Sequence, residues 1–366
     1  MQLKWKIFLI KIKHWEYWNS AVIYFPVLPY LLYLFAKARH CFFFNAANPG
    51  IAYGGFLMES KWDIYANAPA GFFPKTMLIK KSTCFEAIAA AVASQFDFPF
   101  IAKPDIGSKG RGVTLVNNLQ ELQVYHADCP LDYIIQEKIN YPLEAGVFYM
   151  RRPDKDKGIL TGIVEKKYIQ VTGDGMLTVR QLLKKQERYI LQMDALENLV
   201  DDDIMNTILE RDQNYTVLEI GNHARGAMFL DASDKIDAAL TTVMDTVCKK
   251  IHGFYVGRLD IRFENWEDLK AGRNFSIIEL NGAGSEPTHM YDPKHSVFFA
   301  WKQICKHWKY IYEAATLNHA KGTRYLTIGE GIKMFRNNSI VDSLLSRFRH
   351  AKQTTKPESQ KIYQRA

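Results

Sequence analysis

The chain has little that would give it a covalent or metal-clamped frame. Among 366 residues there are five cysteines, Cys41, Cys84, Cys129, Cys248 and Cys305. They are odd in number, far apart and without CxxC spacing, which argues against a disulfide framework or a cysteine zinc site and for a reducing compartment. Two common phosphate-binding devices are also missing. There is no GxxxxGKS/T loop, and no GxGxxG follows a strand to open a helix. Acidic residues are absent from the first 14 positions, MQLKWKIFLIKIKH, which carry four lysines.

The one long apolar run, Ala21 to Ala36, is short for a membrane span. Its 16 residues would cover about 24 Å as a helix, against a bilayer core of about 30 Å. Pro26 and Pro29 interrupt it, and basic residues flank both ends, so no orientation is favoured. A small-residue cleavage site, as in a secretory signal, does not follow. The expectation is an in-plane or re-entrant membrane segment with Trp5, Trp15, Tyr17 and Trp18 at the interface. The competing reading is an apolar helix packed on the protein's own core.

What is present is an α/β pattern. Hydrophobic residues make up 48% of the chain, enough for more than one domain or lobe. The net charge of +8 suits phosphate ligands, nucleic acid or an anionic membrane without choosing among them. From about Asn45, strand-like runs include Phe73–Ile79, Phe98–Pro104, GVTLVNN, DYIIQEKI, GVFYMRR, GILTGIVEKKYIQV, YTVLEI and YVGRLDIRFEN. Helical patterns fall on TCFEAIAAAVASQF with a Ser or Thr N-cap, Thr178–Ile190, Asp237–Ile251 and the stretch after Phe298. The acidic stretch ENLVDDDIMNTILERDQN reads as a surface helix or insertion. After Arg336 one amphipathic helix places Ile340, Val341, Leu344, Leu345 and Phe348 together, and a basic tail follows. Aromatics and lysines in WKQICKHWKYIYEA fall at helical spacing, so a core face and a basic face explain them better than nucleic acid does.

Three segments carry chemistry. AKPDIGSKGRGV follows a strand that delivers Lys103 and holds Gly107, Ser108, Lys109, Gly110, Arg111 and Gly112. Glycines let backbone N–H groups close on an anion, and the cations neutralise it. Taken alone, a charged hairpin turn is the readier reading. IIQEKINYPLEAGVFY places Glu137 at a strand end and Glu144 seven residues on. GRLDIRFEN and FSIIELNG then put Arg258, Asp260, Glu279 and Asn281 on two consecutive strands. If these pair around WEDLKAGRN, two carboxylates and an amide oxygen share one face. That hard-oxygen set suits Mg²⁺ completed by substrate phosphates.

In this order and spacing the segments resemble the ATP-grasp carboxylate–amine ligases. The likeness is to the D-alanine–D-alanine ligase type and to the ATP-grasp parts of cyanophycin synthetase and bifunctional glutathione synthetase. TGDGMLTVRQLL is similar to a segment of the latter two. The resemblance covers roughly Glu59 to Asp292. It implies an α/β (α+β) ATP-grasp fold whose two lobes clasp ATP, here preceded by the apolar segment. The implied divisions are 1–44, membrane-associated; 45–73, a reduced N-terminal portion; 74–145, the small lobe; 146–310, the large lobe with the metal site; and 311–366, a C-terminal helix and tail.

The resemblance also implies roles. Lys61, Lys103 and either Lys166 or Lys167 contact the ATP phosphates, under the loop Gly107–Gly112. Gln136, Glu137, Lys138 and Ile139 line the adenine, and Glu144 holds the ribose. Asp260, Glu279 and Asn281 hold one or two Mg²⁺ ions, with Mn²⁺ as an alternative, and Arg258 is the catalytic cation. The implied reaction is carbon–nitrogen bond formation through an acyl phosphate, with ATP going to ADP and phosphate. A membrane-associated nucleotide-binding scaffold and an ATP-grasp kinase are the alternatives.

The chain departs from the family pattern after Asn281. A Pro-Gly-Met-Thr-type turn is replaced by NGAGSEPTH, which puts D-alanine in doubt. Ser285 and Glu286 become acceptor candidates, with a surface turn as the bland reading. Arg151, His223 and Arg225 are further candidates for a carboxylate or acyl group, set against a strand-end arginine, a structural histidine and a surface arginine. The reduced N-terminal portion and apolar segment suggest a lipid-linked or membrane-proximal substrate. The expected setting is cytoplasmic, peripheral on the inner face of an anionic membrane, without nucleic acid.

Overall fold

The computed structural model describes residues 2–69, 71–108, 110–218 and 227–348. These form two compact units: residues 19–165 with 230–348, and residues 2–18 with 166–218 and 227–229.

The larger unit opens on a nearly continuous helical run. After α1 (Gln2–Lys13), which belongs to the other unit, come α2 (Ser20–Tyr24), a 3-10 turn (Phe25–Val27) and α3 (Leu28–Ala38). Pro26 and Pro29 sit in the first positions of the 3-10 turn and of α3, where a missing N–H costs little. The run is 19 residues and, by length and composition alone, is long and apolar enough to cross a membrane. One side is protein-facing: Ile23, Val27, Leu31 and Leu34 are buried, and Trp301 Nε1 donates to the Ile23 carbonyl at 2.9 Å. The other side is uncovered, with Val22, Phe25, Leu28, Leu32 and Tyr33 exposed, Phe25 to 74%. Core packing therefore describes one face of the segment, and the other is apolar and uncovered. Trp15 is buried in the smaller unit and is no interfacial anchor; Trp5 is exposed.

A short helix α4 (Lys61–Ala66), capped by Ser60, leads to a four-stranded antiparallel sheet. It contains β1 (Thr76–Ile79), β2 (Phe100–Pro104), β3 (Thr114–Val116) and β4 (Tyr133–Glu137) in the order β1-β4-β2-β3. α5 (Phe85–Gln95) and α6 (Leu119–Asp128) pack on it through Ile88, Val92 and Leu122. The N-cap of α5 is Cys84, which makes no side-chain cap bond, not a Ser or Thr. In α6 Asn118 does cap, accepting from the Glu121 N–H at 2.9 Å.

A second sheet has five strands. β5 (Leu143–Met150), β6 (Ile159–Lys167), β9 (Met228–Asp231), β10 (Val256–Phe263) and β11 (Phe275–Asn281) lie in the order β11-β10-β5-β6-β9. α11 (Ala238–Lys250) and α12 (Trp266–Lys270) cover its apolar face with Leu240, Met244, Val247 and Leu269.

Within the smaller unit, β7 (Ile169–Thr172) pairs with β8 (Asn214–Leu218) beside α7 (Val179–Lys185), α8 (Glu187–Ile190), α9 (Met193–Leu199) and α10 (Asp202–Asn206). The helix expected over Thr178–Ile190 is thus broken at Gln186. The acidic stretch is not all surface: its Leu196, Val200, Ile204 and Met205 are buried in one core with residues of β7, α7 and β8.

Two helices close the larger unit: α13 (Val297–Ala320) and α14 (Ile328–Arg347). α14 starts earlier than the apolar pattern suggested, at a capping box formed by Thr327 and Glu330. Its Val341 and Leu345 are buried, but Ile340 and Leu344 are exposed, so the five apolar residues do not share one face. All five cysteines are free.

Candidate active site

Two rungs of the five-stranded sheet carry the polar cluster. In one, Asn281 on β11 pairs with Arg258 on β10, which pairs with Phe148 on β5, which pairs with Gly162 on β6. In the next, Glu279 pairs with Asp260, Asp260 with Gly146, and Gly146 with Val164. Alternation along the strands puts both rungs on the same face. The face is polar at β10 and β11 and nearly bare at Gly146. A Cβ there would lie 2.9 Å from Arg258 Cδ and 3.0 Å from Asp260 Oδ1, so this glycine makes room for the ion pair.

Arg258 grips Asp260 with both arms, Nε to Oδ1 at 2.7 Å and Nη2 to Oδ2 at 3.0 Å. Burial works against the guanidinium charge, but Asp260, Glu279 and Glu286 outweigh it and hold its pKa above the ordinary value. Asn281 Nδ2 is buried and has no hydrogen-bond partner. Hydrogen bonding by that nitrogen therefore does not account for the residue, whereas a cation-binding amide oxygen does. Among the described residues no group of three His, Cys, Asp or Glu is placed to share a metal ion. Two carboxylates and an amide fit Mg²⁺, which takes few protein ligands and completes its shell with water and phosphate.

A bulge links this face to the other sheet. Ile261 pairs with Ile277 while Asp260 pairs with Glu279, leaving Ile278 as the extra residue. The Ile278 carbonyl accepts from Lys103 Nζ at 3.0 Å and from Tyr65 Oη at 3.0 Å. Lys103 also donates to Gln136 Oε1 at 2.8 Å. Burial pulls the Lys103 pKa down from 10.5 to about 8, against the opposing pull of Glu279 and Asp260.

That value fixes a sign. Between about 8 and 10.5 the unfolded chain holds a proton that the folded chain has lost, so Lys103 makes stability rise with pH in that window. An anion bound beside Lys103 raises its pKa, so binding takes up a proton at higher pH. On the nucleotide reading that the resemblance implies, calorimetry should show ADP affinity falling as pH rises through about 8, by at most about tenfold per unit. Lys103→Met should bind weakly with a flat profile; an unchanged slope would remove Lys103 from the nucleotide site.

The glycine loop is held at both ends. Lys61 Nζ donates to the carbonyls of Gly107 at 2.7 Å and Asp105 at 3.3 Å, so here it ties the loop. The Arg111 N–H donates to the Ser108 carbonyl at 3.3 Å, and Gly110 and Gly112 have φ of 66° and 75°, which favours glycine. Arg111 itself reaches Asp342 on α14, Nη1 to Oδ1 at 2.9 Å. Lys109 lies outside the described residues.

At the end of β4 the Glu137 N–H pairs with the Lys75 carbonyl, and Lys138 after it is half-buried. The Ile139 carbonyl accepts from Arg262 Nη1 at 2.9 Å, and Arg262 Nε lies 3.6 Å from buried Glu144. Arg262 thus ties the segment between the sheets to β10.

The divergent turn is built on close backbone approach. The Ala283 and Gly284 N–H groups donate to the carbonyls of Gly54 and Gly55 at 3.1 and 2.8 Å. A Cβ on Gly284 would fall 2.1 Å from the Phe56 carbonyl oxygen. Ser285 Oγ donates to the Gly282 carbonyl at 2.8 Å, closing the turn. Glu286 accepts from Tyr24 Oη at 2.8 Å and from Tyr291 Oη at 3.1 Å. It is half-buried, not a free surface acid.

Other expected residues are not gathered here. Arg151 has the strand parity of Tyr149, opposite to that of Phe148, and stacks 4.4 Å from the Tyr255 ring centroid. His223 and Arg225 lie outside the described residues. Lys166 is buried on β6 with the parity of Gly162 and Val164, whereas Lys167 is exposed. Sequence reasoning missed Tyr65, Arg262 and Gly146. It also missed Glu59, whose pKa burial raises near Lys61 and Glu279. The alternation Arg258-x-Asp260-x-Arg262 was a usable pointer to Arg262.

No family model matches the chain. Cyanophycin synthetase of Synechocystis sp. is 22% identical over 225 residues, which are 56% of this chain and 25% of that protein. The chain thus spans about a quarter of the curated relative it matches. Three solved structures follow it in part. The bifunctional glutathione synthetase from Pasteurella multocida is 15% identical with a TM-score of 0.40, over 72% of this chain and 37% of that one. The VanG D-Ala:D-Ser ligase from Enterococcus faecalis is 14% identical at 0.42, over 72% and 64%. The D-alanine–D-alanine ligase from Bacillus anthracis is 12% identical at 0.41, over 75% and 72%. These are the kinds of ATP-grasp enzyme that the motifs resemble.

Proposed function

We propose that the chain is an ATP- and Mg²⁺-dependent ligase that activates a carboxylate as an acyl phosphate and joins it to an amine. The observation that carries this is one sheet face pairing Arg258–Asp260 with Asn281–Glu279, joined through Lys103 to a glycine loop. Nucleotide binding alone does not need an arginine at this point, whereas phosphoryl transfer would use one.

Asp260, Glu279 and Asn281 would hold the cation, which supplies charge neutralisation and alignment of the phosphates. Lys103, and Lys61 through the loop it ties, would hold the phosphate end. Gln136–Ile139 and Glu144 would frame the nucleoside. In the first step a substrate carboxylate oxygen bonds to the γ-phosphorus as the bond to the ADP oxygen breaks. In the second, an amine nitrogen bonds to the acyl carbon, phosphate leaves, and the amine gives up a proton. Arg258 meets the negative charge that builds in both steps. The loop Gly107–Gly112, with Ser108 and Arg111, would keep water from the acyl phosphate.

Glu286 suits an acceptor that presents an ammonium, with Ser285 shaping its turn. The uncovered side of Ser20–Ala38 suits contact with an anionic membrane on the cytoplasmic side, and a substrate carried there. The test is ATP-dependent phosphate release against a panel of amino acids and lipid acids, with hydroxylamine to trap an acyl phosphate. Turnover without a hydroxamate or amide product would sink the ligase reading.

The membrane part has its own check. Deleting residues 1–40 would remove Ile23 and Leu34 from the core, so the better probe is Phe25→Glu with Leu32→Glu on the exposed side. Membrane-fraction partitioning should drop about tenfold or more, given roughly 2.5 kcal/mol or more for each charge placed in a bilayer. Unchanged partitioning would leave the segment as core packing alone.

A further inference from the structure

We propose that the outward face of α14 is a docking surface for an anionic lipid bilayer, and that its inward face passes that contact to the glycine loop. The loop consequence rests on the nucleotide reading of residues 107–112; the lipid contact does not.

The outward face is apolar and basic at once. Ile328, Ile332, Phe335, Ile340 and Leu344 are exposed, Ile332 to 60% and Phe335 to 47%. Lys333, Arg336 and Arg347 are exposed among them. The helix has two acids, Glu330 and Asp342, and both are turned into ion pairs, Glu330 with Arg324 at 2.7 Å and Asp342 with Arg111 at 2.9 Å. Both acids of α14 are therefore paired within the chain, although their side chains are 38% and 40% exposed. Uncovered isoleucine, leucine and phenylalanine interleaved with basic residues is the make-up of a helix lying in a lipid headgroup layer. An acidic protein groove would match the charges, but five apolar side chains spread along a 20-residue helix fit an extended apolar boundary better.

The inward face of the same helix seats the loop. Leu345 Cδ1 would lie 2.7 Å from a Cβ on Gly107, and Phe348 Cδ1 3.4 Å from one on Gly112. Phe348 also packs edge-on to Tyr125, ring centroids 5.3 Å apart, and Tyr125 Oη donates to the Gly112 carbonyl at 2.7 Å. With Arg111–Asp342, α14 and the residue after it touch the loop at three points. Anything that steadies α14 steadies the loop.

The experiment follows the full chain on phosphatidylcholine vesicles with and without phosphatidylglycerol. It reads co-sedimentation and the rate of tryptic cleavage after Arg111, identified by mass spectrometry. Anionic vesicles should slow that cleavage about fivefold or more, a few basic contacts at about 1 kcal/mol each; neutral vesicles should not. Ile328→Glu with Ile332→Glu, the two most exposed apolar positions of the helix at 62% and 60%, should leave cleavage without vesicles unchanged and remove the vesicle effect. Asp342→Lys should speed cleavage with or without lipid. A double variant that still binds and is still protected overturns the proposal. So does a double variant that only shifts the chain from dimer to monomer, which would make the face a self-interface. If ADP gives no protection at Arg111 while anionic vesicles do, the nucleotide reading fails and the lipid surface stands.

Discussion

Glu279→Gln is expected to lower ATP-dependent phosphate release by about a thousandfold, the scale lost when a group facing transition-state charge is removed. The change keeps the shape of the side chain, turns one acceptor oxygen into an NH2 donor and removes one negative charge from the cation set. Glu279 is half-buried and opposite Asp260, so the fold should tolerate it, with a melting shift of no more than about 2–4 °C. Asp260→Asn should abolish turnover too, but it is the poorer test. Asp260 is 2% exposed and holds both arms of Arg258. Removing its charge strands a buried guanidinium, at about 3–5 kcal/mol. Loss of activity there mixes chemistry with unfolding. A Glu279→Gln enzyme at wild-type rate, with phosphate release and melting measured on the same sample, would refute the metal site.

The shared face of Arg258, Asp260, Glu279 and Asn281 was legible because strand alternation is a local rule: spacing of two means one side. What the alternation could not show was the bulge at Ile278, which depends on what the neighbouring strand and Lys103 demand of that carbonyl. Tyr65 and Arg262 escaped for the same reason, since their partners lie 213 and 123 residues away. The apolar N-terminal segment was ambiguous in principle. A bilayer and a protein core ask for the same residues, and only the fold shows Ile23 and Leu34 turned inward with Phe25 and Leu32 outward. The acidic stretch read as a surface helix or insertion, and its charge hid the burial of Leu196, Val200 and Ile204, which lie in two short helices and the extended link between them. The start of α14 could have been read directly, since Thr327 and Glu330 are a capping box in plain sequence.

Glu286→Gln is expected to separate the two half-reactions. Each carboxylate oxygen of Glu286 takes one tyrosine hydroxyl, from Tyr24 and Tyr291. A carboxylate has about four acceptor positions, so two remain for a ligand. An ammonium is the cation that a proposed amine acceptor brings, and a partly buried ion pair of this kind is worth about 2–5 kcal/mol. The variant should raise the acceptor KM about 100-fold. Hydroxylamine trapping of the acyl phosphate should be unchanged, because the first step needs no acceptor. Equal loss in both steps would mean that Glu286 serves Arg258, whose charge it helps to hold. No loss in either would make it a fastening for the two tyrosines. The placement favours the acceptor role. Tyr24 belongs to α2, which begins the helical run that leaves an apolar side uncovered, so the same residue that orients Glu286 stands beside the surface a lipid would cover. An acceptor arriving from the membrane would meet the carboxylate at the point where the turn departs from the D-alanine ligase pattern.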